Sequence, residues 1–223
     1  MIARELVGTA PIPAGEELRL FRHGRDYMIA LGGNELMTTR MSGSEEALAT
    51  MTCTRIAARK APHLLVGGYG MGFTLRAALG VLGSAARVTV VELIPEIIDW
   101  ARGPMADLTA GCLDDPRVTL IEDDVVAVIE RSRGEFDAIL LDVDNGPDGL
   151  TRPTNSKLYS KRGLQNARIA MKPGGVLAVW SAARDPAFTR RLTDTRYAVD
   201  EVPVRARSNG KGAHHTIWFA AAP

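Results

Sequence analysis

Cysteine is scarce in this chain. Only Cys53 and Cys112 occur in 223 residues, far apart and in no CxxC pair, which excludes a zinc knuckle. Both are expected to be reduced thiols of a cytoplasmic protein. Aromatic residues make up 5%, and none interleaves with a basic run as a nucleic-acid surface would require, so nucleic acid is not an expected partner. Long apolar runs are missing too. The longest weakly charged stretch, 61–86, holds Arg76 and six glycines, which speaks against a membrane span. The opening Met1-Ile2-Ala3-Arg4-Glu5 has no apolar core of the kind a signal peptide carries. The four histidines, His23, His63, His214 and His215, show no metal-ligand spacing, and no metal is expected. No repeat or low-complexity segment is visible. What remains is ordinary: 46% hydrophobic and 24% charged residues, enough to bury a core without disulfides.

Acidic residues are absent from 149–184. The net charge of +1 therefore hides an asymmetry. Residues 1–148 hold 14 Lys/Arg against 22 Asp/Glu, a net −8, and residues 149–223 hold 13 against 4, a net +9. Either two oppositely charged parts pack together, or one wall of a cleft is acidic and the other basic.

Short alternating runs fill the first forty residues. Glu17–His23, Asp26–Leu31 and Asn34–Thr39 read as strands joined by glycine turns, a small antiparallel β domain over residues 1–42. Ser42-Gly43-Ser44-Glu45 has capping-box spacing, and a helix to about Arg59 is expected after it. From Pro62 onward strands alternate with helices. Strands are expected at His63–Val66, Arg87–Val91, Val118–Ile121, Phe136–Leu141 and Val176–Ser181, and a closing pair at Ala198–Val204 and His215–Ala220. The pattern predicts an α/β fold: a Rossmann-like, mostly parallel sheet over residues 43–223 with an antiparallel C-terminal strand. In such sheets ligands lie beyond the carboxyl ends of the strands.

The strand ends carry a consistent chemistry. The first runs into Gly67-Gly68-Tyr69-Gly70-Met71-Gly72 before a helix, where glycine allows positive φ and close approach of a ligand to the backbone. A β-branched side chain at Gly68 is expected to block that approach with less effect on stability. Glu92 ends the next strand, placed to accept two hydrogen bonds from a ribose diol. Asp123 and Asp124 follow the third. Asp123 suits an adenine amine; Asp124 suits either adenine or the N-cap of the next helix. Asp142 ends the fourth and suits a general base. A pyrophosphate would sit poorly among these acids. A cationic nucleoside such as the sulfonium of S-adenosylmethionine fits better.

These segments resemble the spermidine synthase (polyamine aminopropyltransferase) family, a branch of the class I methyltransferase fold. Leu64–Gly72 with Val88–Glu92 resembles its GGGDGG loop and ribose-binding acid, and Asp115-Pro116-Arg117-Val118 with Glu122-Asp123-Asp124 its adenine region. Phe136–Asp142, Leu158-Tyr159-Ser160 and Lys172–Leu177 match three further segments. The resemblance implies S-adenosylmethionine or its decarboxylated form as co-substrate, a small-molecule acceptor and a homodimer. It assigns nucleoside contacts to Gly67, Gly68, Gly70, Gly72, Glu92, Asp123 and Asp124, makes Asp142 the catalytic base, and puts Asn145, Tyr159 and Arg205 on the acceptor side. This sequence departs from the family there. Gly70 stands where the family's loop has Asp, Asn145 replaces a second Asp, and the family's YHE segment falls near Glu45-Glu46-Ala47. Arg205, Arg207, Lys211, His214 and His215 form an acid-free run, and Arg152 and Lys157 add to it. These changes point to an acceptor bearing an anionic group. Methyl transfer to such an acceptor, or nucleoside binding without catalysis, are the alternative activities.

Overall fold

A computed structural model describes residues 4–12, 15–143, 147 and 157–222. Its N-terminal part is a four-stranded antiparallel sheet of β1 (Glu5–Pro11), β2 (Glu17–His23), β3 (Asp26–Leu31) and β4 (Asn34–Thr38), in that order. Strand β2 shows the alternation that one-sided burial demands: Leu18 and Leu20 are buried while Glu17 and Arg19 face out. The sequence reading missed β1. Its Gly8 lies flat against the Trp100 indole, where a Cβ would come 2.5 Å from Nε1, so β1 owes its place to a tertiary contact rather than to its own pattern.

Helix α1 (Gly43–Arg55) follows, four residues shorter than expected. Ser42 is not a side-chain cap. Its backbone is helical (φ −93°, ψ −10°), so its hydroxyl misses the free N–H groups and donates to Glu46 Oε1 instead (2.8 Å).

The second sheet has seven strands: β5 (His63–Gly67), β6 (Arg87–Glu92), β7 (Val118–Glu122), β8 (Phe136–Leu141), β9 (Met171–Ser181), β10 (Ala198–Arg205) and β11 (His214–Ala221). Their spatial order is β10-β11-β9-β8-β5-β6-β7. The five strands from β9 to β7 are parallel, β11 runs antiparallel to them, and β10, antiparallel to β11, returns to their direction. Every residue of β5 and β8 is buried, as expected where helices cover both faces. Around the sheet lie α2 (Phe73–Val81), α3 (Pro95–Arg102), the short α4 (Ala106–Thr109), α5 (Val125–Arg131), α6 (Lys161–Ala170) and α7 (Pro186–Asp194). Strand β9 starts five residues earlier than expected and carries Gly174 and Gly175 within it.

The chain leaves β5 toward β6 on one side, and β8 takes the other. This reversal opens a crevice at the carboxyl ends of the strands. The N-terminal sheet closes over it, because Leu18, Ile29 and Leu31 share one apolar cluster with Ile94, Ile97 and Trp180. Cys53 and Cys112 are free and buried. Among the described residues no helix is long and apolar enough to cross a membrane.

Candidate functional site

A cavity of about 160 Å³ lies in this crevice, far more than the ~10–15 Å³ that holds one water. Its roof comes from the N-terminal sheet through Leu18, Ile29, Leu31, Leu36 and Met37, and its floor from Gly68, Gly70, Val91 and Val143. Five carboxylates reach it: Glu45, Glu92, Asp123, Asp124 and Asp142. Among the described lining residues there is no Lys, Arg or His.

The glycine loop is built as its sequence suggests. Gly68, Gly70 and Gly72 have φ of +86°, +55° and +75°, values that L side chains adopt at a cost. Gly68 and Gly70 line the cavity. Gly67 and Gly72 do not; Gly67 packs against Val125, and Gly72 caps α2 beneath the Tyr69 ring. At Gly70 a Cβ would meet the flexible end of the Met37 side chain, with Cε at 2.5 Å, so the roof touches the loop at this point.

Glu92 ends β6 and is 6% exposed. Its two oxygens accept the N–H groups of Tyr69 and Ile94, each at 2.9 Å. Burial pushes its carboxyl upward, against these backbone bonds. Asp124 accepts from Val126 N (2.8 Å) through Oδ1 and is the N-cap of α5, while it also lines the cavity. Asp123 pairs with Arg131 (2.6 Å) at the rim, and that hydrogen bond holds its carboxyl below the usual range.

Asp142 follows β8. Thr74 at the start of α2 donates to its Oδ2 (2.8 Å). Burial raises its carboxyl to about 6, with the Thr74 bond opposing. Across the cavity stands Glu45, in the first turn of α1 and buried. It is pushed up to about 8, by burial first and by the Asp142 charge second. Two carboxylates in one poorly hydrated space resist ionising together. The sequence reading assigned Glu45 no role. Its only sequence signal was the position of Glu45-Glu46 where the family has YHE, because nothing local to α1 reveals that its first turn faces the end of β8.

The acceptor-side residues fall elsewhere. Tyr159 is buried in the core, edge-on to Phe188 (5.6 Å), and donates to the Val143 carbonyl (3.3 Å). It braces the cavity floor from behind. Arg205 ends β10 on the surface, exposed, and donates to Gly212 O (3.1 Å). Neither lines the cavity. Asn145, Asp144 and Arg152 lie outside the described residues. The expected basic wall is thus not part of the cavity as described, since residues 207–214 form an exposed hairpin tip. The anionic-acceptor expectation loses its support with it. Among the described residues no cluster of His, Cys, Asp and Glu is arranged to hold a metal ion.

Comparison with known proteins agrees with this architecture. The sequence model of the spermine/spermidine synthase domain matches residues 43–195. A polyamine aminopropyltransferase of Mycobacterium tuberculosis is 30% identical over 191 residues, which cover 83% of this chain and 35% of the relative. Polyamine aminopropyltransferase 2 of Pseudomonas aeruginosa is 33% identical over 120 residues, covering 52% of this chain and 32% of the relative. The chain therefore spans about a third of the length of these curated relatives. Among solved structures, the spermidine synthase of Thermotoga maritima superposes with a TM-score of 0.75 at 19% identity, covering 98% of this chain and 73% of that one. A spermidine synthase in complex with the transition state analogue AdoDATO gives 0.74 at 19% identity, covering 98% and 72%. The fold is that of the class I methyltransferase-like spermidine synthases.

Proposed function

The chain belongs to the spermine/spermidine synthase family, and on that premise we propose that it is an aminopropyltransferase using decarboxylated S-adenosylmethionine and a small cationic amine. One observation carries this reading: five carboxylates line one cavity, Asp123 alone of them paired with a described cation, Arg131 at the rim, and no Lys, Arg or His is among the described lining residues. A sulfonium and an ammonium both gain from such a field. The carboxylate of intact S-adenosylmethionine would enter the same field without a described cation to meet it, so neither methyl transfer nor an anionic acceptor has a supporting observation.

The chain's own groups divide the work. The cramped backbone at Gly68 and Gly70 lets the nucleoside approach. Glu92, oriented by Tyr69 N and Ile94 N, keeps lone pairs for the ribose hydroxyls. Asp123, with the neighbouring Asp124, borders the adenine edge, and the apolar roof excludes water. When bound, the co-substrate supplies a carbon activated by the adjacent sulfonium. Asp142, oriented by Thr74, takes a proton from the acceptor ammonium, and its raised carboxyl suits that task near neutral pH. Glu45 provides a second carboxylate facing the amines, in place of the loop acid that Gly70 cannot carry. Positioning supplies most of the remaining rate. We take residues 1–42 as the unit that closes the site and 43–223 as the unit that builds it, and a homodimer as the assembly, which light scattering checks.

The test is calorimetry followed by turnover. Decarboxylated S-adenosylmethionine should bind at least about tenfold tighter than S-adenosylmethionine, the worth of one unfavourable charge contact. Putrescine and longer diamines should then be aminopropylated. Tighter binding of intact S-adenosylmethionine, with methyl transfer to any acceptor, would overturn the reading.

A further inference from the structure

Glu45 is linked to more than Asp142. Its Oε2 lies 2.7 Å from Ser44 Oγ, and that hydroxyl lies 2.9 Å from His215 Nδ1. Ser44 is fully buried and His215 half-buried. Beyond His215 the chain emerges into the exposed stretch 207–214. The His215 ring stands edge-on to Trp180 (4.9 Å), and Trp180 lines the cavity. A continuous line of three exchangeable groups thus runs from the cavity wall toward the hairpin surface.

We propose that Glu45, Ser44 and His215 are the proton exit of this site, carrying away the proton that the acceptor ammonium gives to the Asp142–Glu45 pair. The inference rests on the aminopropyl-transfer reading. In that reaction the ammonium loses one proton, and its freed electron pair forms the new N–C bond. The C–S bond breaks, and its electrons neutralise the sulfonium. The product amine keeps its remaining protons and a positive charge, so one proton per turnover must leave the Asp142–Glu45 pair, which lies beneath the apolar roof. On Glu45 that proton bonds to the Ser44 oxygen, the Ser44 hydroxyl passes its own proton to His215 Nδ1, and the imidazolium releases one to water. Rotation of the hydroxyl and exchange at the ring restore the start. Burial disfavours the charged form of the His215 imidazole, so the ring is neutral at rest and holds a proton only in passing. The groups facing Glu45 are Asp142 at the end of β8, Thr74 on α2, and Ser44 and Glu46 on its own helix; those facing His215 are Ser44 and Trp180. His215 acts through Ser44 and Glu45 and is a positioning residue, not a catalytic one.

The experiment uses the full chain with decarboxylated S-adenosylmethionine and putrescine. His215→Gln should lower kcat roughly tenfold with both KM values unchanged. External imidazole should restore turnover to His215→Ala, which a purely structural role would not permit. A kcat within about twofold of the native chain in both variants, or a loss that imidazole does not relieve, overturns the proposal. If the native chain transfers no aminopropyl group, the functional reading fails, and the relay is judged by a ¹⁵N titration of His215. Ser44→Ala removes the hydroxyl bonded to Nδ1, and the relay predicts that the His215 midpoint shifts by about half a unit in that variant. Coincident titration curves overturn it.

Discussion

Replacing Gly68 by Ala tests how the loop, the sheet and the site are joined. At φ +86° an alanine costs about 1–2 kcal/mol. Its Cβ would also stand 2.4 Å from the Asp142 carbonyl oxygen, closer than real contacts allow. Neither side yields readily. Gly68 N is bonded to Val91 O (2.9 Å) and Asp142 N to Gly67 O (3.0 Å), so the ends of β5, β6 and β8 are tied together. Overpacking of this kind costs about 1–3 kcal/mol. The smaller entropy of the unfolded alanine chain returns about 0.4–1 kcal/mol. The expected net loss is about 2–4 kcal/mol, roughly 5–15 °C in melting temperature for a chain of this length. Substitution at Gly68 should therefore damage the fold as well as the binding site, contrary to the expectation from sequence that stability is the lesser casualty. Chemical denaturation with a constant m value measures the loss. Gly80 in α2 is the control: it is exposed, and its Cβ would meet nothing within 4 Å. Gly80→Ala should stabilise by about 0.5–1 kcal/mol. A Gly68→Ala variant within 1 kcal/mol of the native chain would refute the argument that backbone contact at Asp142 dictates this glycine.

Asp137→Asn should destabilise by about 2–3 kcal/mol at neutral pH. The 2%-exposed carboxylate accepts from His63 N (2.8 Å) and Lys172 Nζ (2.7 Å). Although burial raises its carboxyl, these bonds and the nearby cations hold it below 3.8. Its contribution is therefore present above that value and lost as pH falls through the folded one, so native and variant unfolding curves should converge in acid. Glu45 has the opposite sign. Its carboxyl is raised from 4.5 to about 8, so the ligand-free chain should be most stable below the unfolded value and lose stability as pH rises toward 8. Glu45→Gln should flatten that slope in thermal scans, and an unchanged slope would place the linkage elsewhere. Asp142→Asn should lower kcat roughly 100-fold while calorimetry still finds the nucleoside bound. Arg205→Ala should leave nucleoside affinity and turnover within about twofold, because the side chain lies on the surface; a large rise in acceptor KM would return the basic segment to the site.

Much of the architecture is written locally. Apolar runs as continuous as β5 and β8 can bury themselves only between two layers of helices, and the glycines after β5 announce a close backbone turn before α2. The acids that close β6, β7 and β8 were legible for the same reason: in a parallel sheet each strand end points to one rim, so position along the chain already fixes proximity. That logic identified Glu92, Asp123, Asp124 and Asp142, all of which reach the cavity. It could not say which lone pairs were already engaged, and Asp124 proves to cap α5. Residues carried by packing rather than by strand order stayed hidden. Strand β1 depends on Gly8 meeting Trp100, and Glu45 on α1 lying against the end of β8. Arg205 and Tyr159 show the converse, since neither lines the cavity. Closeness in sequence to a cavity-lining segment does not settle which side of a strand or turn a side chain takes, and the fold sent one to solvent and the other into the core. The sequence alone therefore determined the sheet, its reading frame and the acidic rim. Tertiary structure alone decided the roof, the Glu45–Asp142 pair and the exclusion of the described basic segment, because these arise where distant segments meet and no local periodicity encodes such a meeting.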